Sequence, residues 1–260
     1  MLSLVRCPLS LRCRVSAVGL GLALAGSLAS SSAWAWGNLL LIDAPPAQDT
    51  LAVGVSAWAV PRSPGSRQQT TLLLPALDLE RHDGWFVSTD LGVGQNLSGT
   101  RDVQAGWRLW PQFGRSAKDA APGLPAFGPR LLKQGFANVQ VTEWLLAQST
   151  LSIGSGRAHR GASAELGLTT GVPIAGDLLG LGVAATLANR AHRQDEVGAA
   201  ASGWSDRSLT LSFEHRFDSH WRVDAQAQWA TLLGGGAPAS PSGGWQRQQR
   251  LLTFSLWRDL

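Results

Sequence analysis

The stretch WRVDAQAQWA, Trp221 to Ala230, alternates without a slip. Trp221, Val223, Ala225, Ala227 and Trp229 fall on one side, and Arg222, Asp224, Gln226 and Gln228 on the other. Successive side chains of a strand point to opposite faces, so this is a strand with one apolar and one polar face. A soluble sandwich would bury the apolar face. A membrane barrel would turn it to lipid and enclose the polar one. The spacing of the tryptophans favours the barrel. Eight residues separate them, ~27 Å along an extended strand. A tilt of ~40° reduces that to roughly 21 Å across the membrane, close to the ~25 Å apolar band that aromatic girdles flank. Trp221 and Trp229 are therefore the expected girdle residues, with alanines between them.

The rest of the chain repeats the pattern. Period-two runs begin at Leu51, Thr70, Trp85, Val103, Phe136, Gly161, Asp177 and Arg207, and one more closes the chain at Leu260. The run from Trp85 reads as one strand, with Leu91 and Val93 in phase with Trp85. The run from Phe136 is a weaker strand, and Pro75 interrupts the run from Thr70. These readings give ten or eleven strands. Closed single-chain barrels use even numbers, so the expectation is an all-β, antiparallel transmembrane barrel of about 10–12 strands. Charged residues within the runs, Asp90, Arg108, Glu165 and Asp224, oppose the bulky apolar side chains. With Gln226 they are expected to line the barrel interior. Segments 112–130, 188–206 and 234–247, rich in Gly, Pro, Ser and charge, read as surface loops. Their mixed charges, Arg115, Lys118, Asp119, Arg190, Arg193, Asp195 and Glu196, suit reversible protein contact.

The N-terminus carries Arg6, Arg12 and Arg14 and no acid, then an uncharged run, then Ala33-Trp34-Ala35. A basic segment, an apolar segment and a small-x-small site make a secretory signal peptide. Cleavage after Ala35 is expected to leave Trp36 first, so that residues 1–35 are the signal and 36–260 one barrel domain. N-terminal sequencing of the exported protein should begin at Trp36; retention of residues 1–35 would overturn the reading. Both cysteines, Cys7 and Cys13, fall in the removed part. Processing leaves 19 basic against 18 acidic residues, so the basic balance of the whole chain gives no warrant for nucleic-acid binding. The chain has 12 tryptophans and no tyrosine.

Candidate chemistry is sparse. His215, Asp218 and His220 bracket a tight turn, where polar residues are ordinary. Ser163 and Glu165 have no histidine beside them and no nucleophile elbow. The glycine-rich runs lack the lysine or acidic context of a phosphate loop. Arg157 and Arg160 lie in a turn that either faces lipopolysaccharide phosphates or is simply solvated. No cofactor and no metal is expected, and no enzymatic activity.

Four short motifs in order resemble the MipA/OmpV family (MltA-interacting protein). They are PRSPGS, with Pro61, Gly65 and Ser66; DGWFVSTDLGVGQNL, with Gly92, Gly94 and Leu97; GWRLWPQFGR, with Gly106, Arg108, Leu109, Gly114 and Arg115; and DSHWRVDAQAQWATLLGGGAPASP. Ser63 stands where the family has tyrosine, and Gly235 where it has aspartate. The resemblance implies a Gram-negative outer-membrane barrel in contact with outer-membrane lipid. It also implies a scaffold for envelope proteins, with a murein hydrolase or synthase as partner. The alternatives are a small diffusion channel and an outer-membrane lipid-modifying enzyme.

Overall fold

The computed structural model describes residues 44–98, 100, 102–120, 124–233 and 245–260. Ala33, Ala35 and Trp36, the residues of the expected cleavage site, lie outside the described residues. So does most of segment 234–247.

Twelve strands occur among the described residues: β1 (Thr50–Pro61), β2 (Gln69–Glu80), β3 (Trp85–Ser88), β4 (Gly92–Asn96), β5 (Val103–Gln112), β6 (Arg130–Thr142), β7 (Leu145–Ser155), β8 (Gly161–Ile174), β9 (Asp177–Ala188), β10 (Gly203–Arg216), β11 (Trp221–Leu232) and β12 (Gln248–Asp259). One helix, α1 (Arg190–Val197), lies between β9 and β10. Each strand pairs antiparallel with the next, and β12 pairs with β1 to close the barrel. Closure removes the sheet edge that hydrocarbon would not tolerate.

The outward face is apolar: Val55, Leu151, Leu166, Val183, Leu211 and Phe254 are all exposed. Such a band is stable only against lipid, so the chain is an outer-membrane β-barrel. Trp221 and Trp229 are exposed on this outward face of β11. Trp85, Trp144 and Phe217 are exposed near the Trp221 end, and Trp204 near the Trp229 end.

The two rims differ. At the rim where the chain enters β1 and leaves β12, the connections are short: 81–84, 97–102, 143–144, 175–176 and 217–220. Ala175 and Gly176 both have positive φ, 53° and 98°, the two-residue turn that matches strand twist. The opposite rim carries the short connections 62–68 and 156–160 together with the three longest ones, which follow β5, β9 and β11. Short turns face the periplasm and long loops the exterior.

Three readings from the sequence are corrected. The run from Trp85 is two strands, β3 and β4, reversed at 89–91. Asp90 therefore sits in that turn, not inside a strand. The run from Phe136 belongs to two strands, β6 and β7, joined at 143–144. Segment 188–206 contains α1 rather than only surface loop.

Two glycines of the resembling motifs leave room for rings. A Cβ on Gly94 would lie 2.6 Å from the Phe86 ring, and one on Gly106 would lie 2.7 Å from that of Phe136. These rings meet edge to face at 6.4 Å and form, with Leu91, a buried cluster beside β4. Gly94→Val should therefore destabilise the folded barrel by about 1–3 kcal/mol, through overpacking. Gly135→Ala, where a Cβ meets only Gly106 O at 3.9 Å, should be close to neutral. Urea titration in detergent micelles, read by tryptophan fluorescence, separates the two.

Candidate functional site

The polar face of β11 is enclosed. Arg222 lies 3.5 Å from Asp78 of β2, 3.7 Å from Asp224 and 3.7 Å from Asp259 of β12. β2 is not a neighbour of β11 in the wall, so the Asp78 contact crosses the interior. The Arg222 guanidinium also stacks over Trp257, 2 % exposed. Arg222 thus serves three carboxylates near the periplasmic end, and it shares Asp259 with Arg216, 3.4 Å away. Asp224 and Gln226 share this face, with Gln228 above them at 2 % exposure. Asp90, from its turn, is within electrostatic reach of Asp78, Asp224 and Arg222.

Higher up, Arg108 is buried, and its Nε donates to Gln134 Oε1 at 2.6 Å. Gln134 Nε2 is in turn 2.8 Å from Ser152 Oγ. Glu165 of β8 faces across towards Arg108 and Asp206, and Asp206 accepts from Thr186 Oγ1. The structure brings Asp90, Asp224 and Arg222 into one group and Arg108, Glu165 and Asp206 into another. Arg222 and Asp206 carry these groups: alternation put Arg222 on the polar face without showing its partners, and Asp206 lies just before the run read from Arg207 and was missed.

The exterior mouth is closed by a plug that sequence reasoning missed. Asn189 caps α1, its side chain accepting from the His192 amide at 2.9 Å. Gly198, at φ 70°, ends it in the left-handed conformation. On one side α1 meets β5 and β7: Gln112 Nε2 donates to Glu196 Oε1 at 2.9 Å, and His192 Nδ1 is 2.7 Å from Ser155 Oγ. On the other side Val197 is packed with Val60 of β1, Ala230 and Leu232 of β11, and Leu251 of β12. A helix in contact with both sides of the barrel lies across its mouth.

Arg115, 2 % exposed, fastens the plug from the loop after β5. It donates to Pro125 O from Nε and Nη2, and to Asp195 O at the helix. Its guanidinium lies 4.0 Å from Glu196 and stacks over Phe127. Burial pulls its pKa below the ordinary value, while the Glu196 and Asp195 carboxylates oppose that shift. Arg193 donates to Ala201 O and Leu233 O. The expectation that Arg115, Arg193 and Glu196 offer exposed charges to a partner is therefore corrected. All three are buried, because each cation has a carbonyl or carboxylate to pair with inside the plug.

Burial lowers the His192 pKa from 6.5 against the pull of Glu196 and Asp195; Arg193 adds to the lowering. The folded plug thus prefers neutral imidazole, and its stability is complete above about 6.5, the unfolded value. Stability falls as the pH drops through the interval between that value and the lower folded one. Protease cleavage within 189–202 should rise on acidification below pH 6.5, and His192→Gln should flatten that dependence.

Among the described residues no group of histidine and carboxylates has the arrangement of a metal site. A comparison with curated proteins finds no match. Among solved structures the chain is similar to a loop-deletion mutant of OmpT, an outer membrane protein of Vibrio cholerae. That likeness has 8% identity over 82% of this chain and 99% of that one, with a TM-score of 0.36. It is also similar to the Pseudomonas putida toluene transporter TodX, at 11% identity over 88% and 94% and a TM-score of 0.26. Likenesses this remote carry no argument. A family model is decisive: the model described as MltA-interacting protein MipA matches residues 53–242, so the chain belongs to the MipA family.

Proposed function

We propose that the barrel anchors a periplasmic envelope protein, a murein-processing enzyme in the first instance, after export directed by residues 1–35. The family's description, MltA-interacting protein, supports a protein partner. The observation that carries the reading is the closed mouth. With α1 across the exterior opening and side chains such as Trp257, Gln228 and Ser56 at most 2 % exposed within, steady diffusion through the barrel is disfavoured. What remains for contact with a periplasmic partner is the rim of short turns. There Trp144 is 63% exposed in the β6–β7 turn, and Arg81, His82, Asp83 and Asp49 form an exposed charged cluster.

The reading assigns no catalysis. Two serine–histidine hydrogen bonds occur among the described residues. Ser155–His192 is buried and pins the plug, while Ser219–His220 joins neighbours in one turn. Asp218 shapes that turn, held below its usual pKa by the amides of His220 and Trp221.

A photo-crosslinking residue at position 144 in intact cells tests the proposal. The expected product is an adduct with a murein hydrolase or synthase, identified by mass spectrometry and absent when the crosslinker is at Lys118 on the exterior loop. No such adduct, together with steady ion conduction by purified protein in planar bilayers, would put the channel reading in its place.

A further inference from the structure

The lipid face is hollowed on one side. A groove of about 790 Å³ crosses it from β7 to β11. Five strands at ~4.8 Å spacing make it roughly 19 Å across. The register lays it along two rows of outward side chains. One row joins Ala147 of β7 through Val183 to Trp229 of β11, and the next joins Leu166 of β8 through Ala185 to Arg207 and Thr231. Alanines make the hollow: Ala147 and Ala185 form its floor between the longer side chains of Leu166, Leu168 and Leu209. The groove also climbs. Ala147 is close to the periplasmic start of β7, while Thr231 is next to the exterior end of β11.

Two cations stand at the upper end. Arg250 of β12 is paired directly with Trp229, and Arg207 of β10 with Thr231, two residues beyond Trp229. Both arginines are exposed, and each shares its parity with an exposed outward leucine, Leu209 or Leu252. They therefore flank β11 on its lipid side, at the level of the exterior tryptophan girdle. Their backbones are two strand spacings and two residues apart, about 12 Å at ~4.8 Å per strand and ~3.4 Å per residue. Two arginine side chains can close that distance around one phosphate.

Neither arginine has a carboxylate partner among the described residues. The strand carboxylates of the exterior half, Glu165 and Asp206, are on the enclosed face. The periplasmic end is built differently. There Arg81 is 2.9 Å from Asp83, Arg216 is 3.0 Å from Glu214, and Arg222 has its three carboxylates. The chain thus neutralises its cations at one rim and leaves two unpaired beside the groove at the other. Guanidinium groups pair with phosphate in a bidentate fork, and tryptophan between them sits well at headgroup level. A second copy of the chain suits the groove less. Among the described residues, its outward strand positions in the exterior half carry no carboxylate to meet the arginines.

We propose that the groove seats one outer-leaflet lipid with an anionic phosphate headgroup. The phosphate lies between Arg207 and Arg250 beside Trp229, and one acyl chain runs down over Ala185 towards Ala147. Charge selects the head, and the alanine floor receives the chain.

The test uses residues 36–260 folded into phosphatidylcholine vesicles that contain a little phosphatidic acid with a diazirine on one chain. A parallel sample carries the same diazirine on phosphatidylcholine. After photolysis, peptide mapping should find phosphatidic-acid adducts concentrated on Leu166, Leu168 and Val183, several-fold above those of the choline lipid. Arg207→Gln combined with Arg250→Gln should abolish that preference and leave choline-lipid labelling unchanged. Ala185→Phe should reduce groove labelling by both lipids. Equal labelling by the two lipids in the unmodified protein would overturn the seat, whether or not the variants fold. So would phosphatidic-acid adducts spread evenly to Val55, Leu73 and Phe254, or a head preference that survives in the double variant. Disulfide-linked dimers of Leu168→Cys, with no lipid adduct in the groove, would make it a contact between copies instead.

Discussion

Arg115→Ala should release the plug while leaving the barrel standing. The substitution removes three hydrogen bonds to carbonyls and leaves Glu196 in a buried site without its cation. Breaking a buried pair by removing one partner costs about 3–5 kcal/mol. That loss falls on α1 and the loop after β5, not on the strand ladder. Cleavage by trypsin after Arg190 or Arg193 should therefore rise roughly a hundredfold or more, since about 1.4 kcal/mol is a factor of ten. Heat-modifiable migration of the barrel should persist. Arg115→Lys should rescue poorly, because one ammonium does not reproduce the guanidinium fork that serves Pro125 and Asp195 together. If protease resistance survives in Arg115→Ala, the plug is held by its apolar contacts at Val197 instead.

The second large effect concerns the lipid face. Ala225 lies midway between Trp221 and Trp229, on the side opposite Asp224 and Gln226, paired with Phe213 and Phe254. Ala225→Arg would set a guanidinium near the bilayer midplane and should destabilise the folded protein by roughly 2–4 kcal/mol. The same change at an end of the apolar band should cost about 0–1 kcal/mol; Thr231→Arg is the matched control, outward and beyond Trp229. Reversible unfolding in vesicles reads the difference. Equal effects at both positions would mean that no apolar solvent surrounds β11.

Period-two alternation made the barrel legible because each long strand has one face in lipid and one enclosed. The same signal concealed the hairpin of β3 and β4. Its turn, 89–91, has three residues, so Val87 and Val93 keep one parity across the reversal and the run reads as one strand. The turn between β6 and β7 has no glycine or proline, only Glu143 and Trp144, and carries no punctuation. For α1 the signal was present: Asn189 and Gly198 stand at cap spacing around eight residues. Composition of the surrounding segment hid it. The plug contacts themselves were beyond reach, since Arg115 and Asp195 are 80 residues apart and Ser155 and His192 are 37 apart.

The face assignment of β11 is the claim on which the rest stands, and single cysteines along 221–230 test it directly, because residues 36–260 contain none of their own. Each variant, folded into vesicles, is exposed to a lipid-soluble maleimide. Positions 223, 225 and 227 should label and positions 224, 226 and 228 should be spared, in strict alternation. Labelling of 226 with protection of 225 would contradict the barrel as described and return β11 to a buried core.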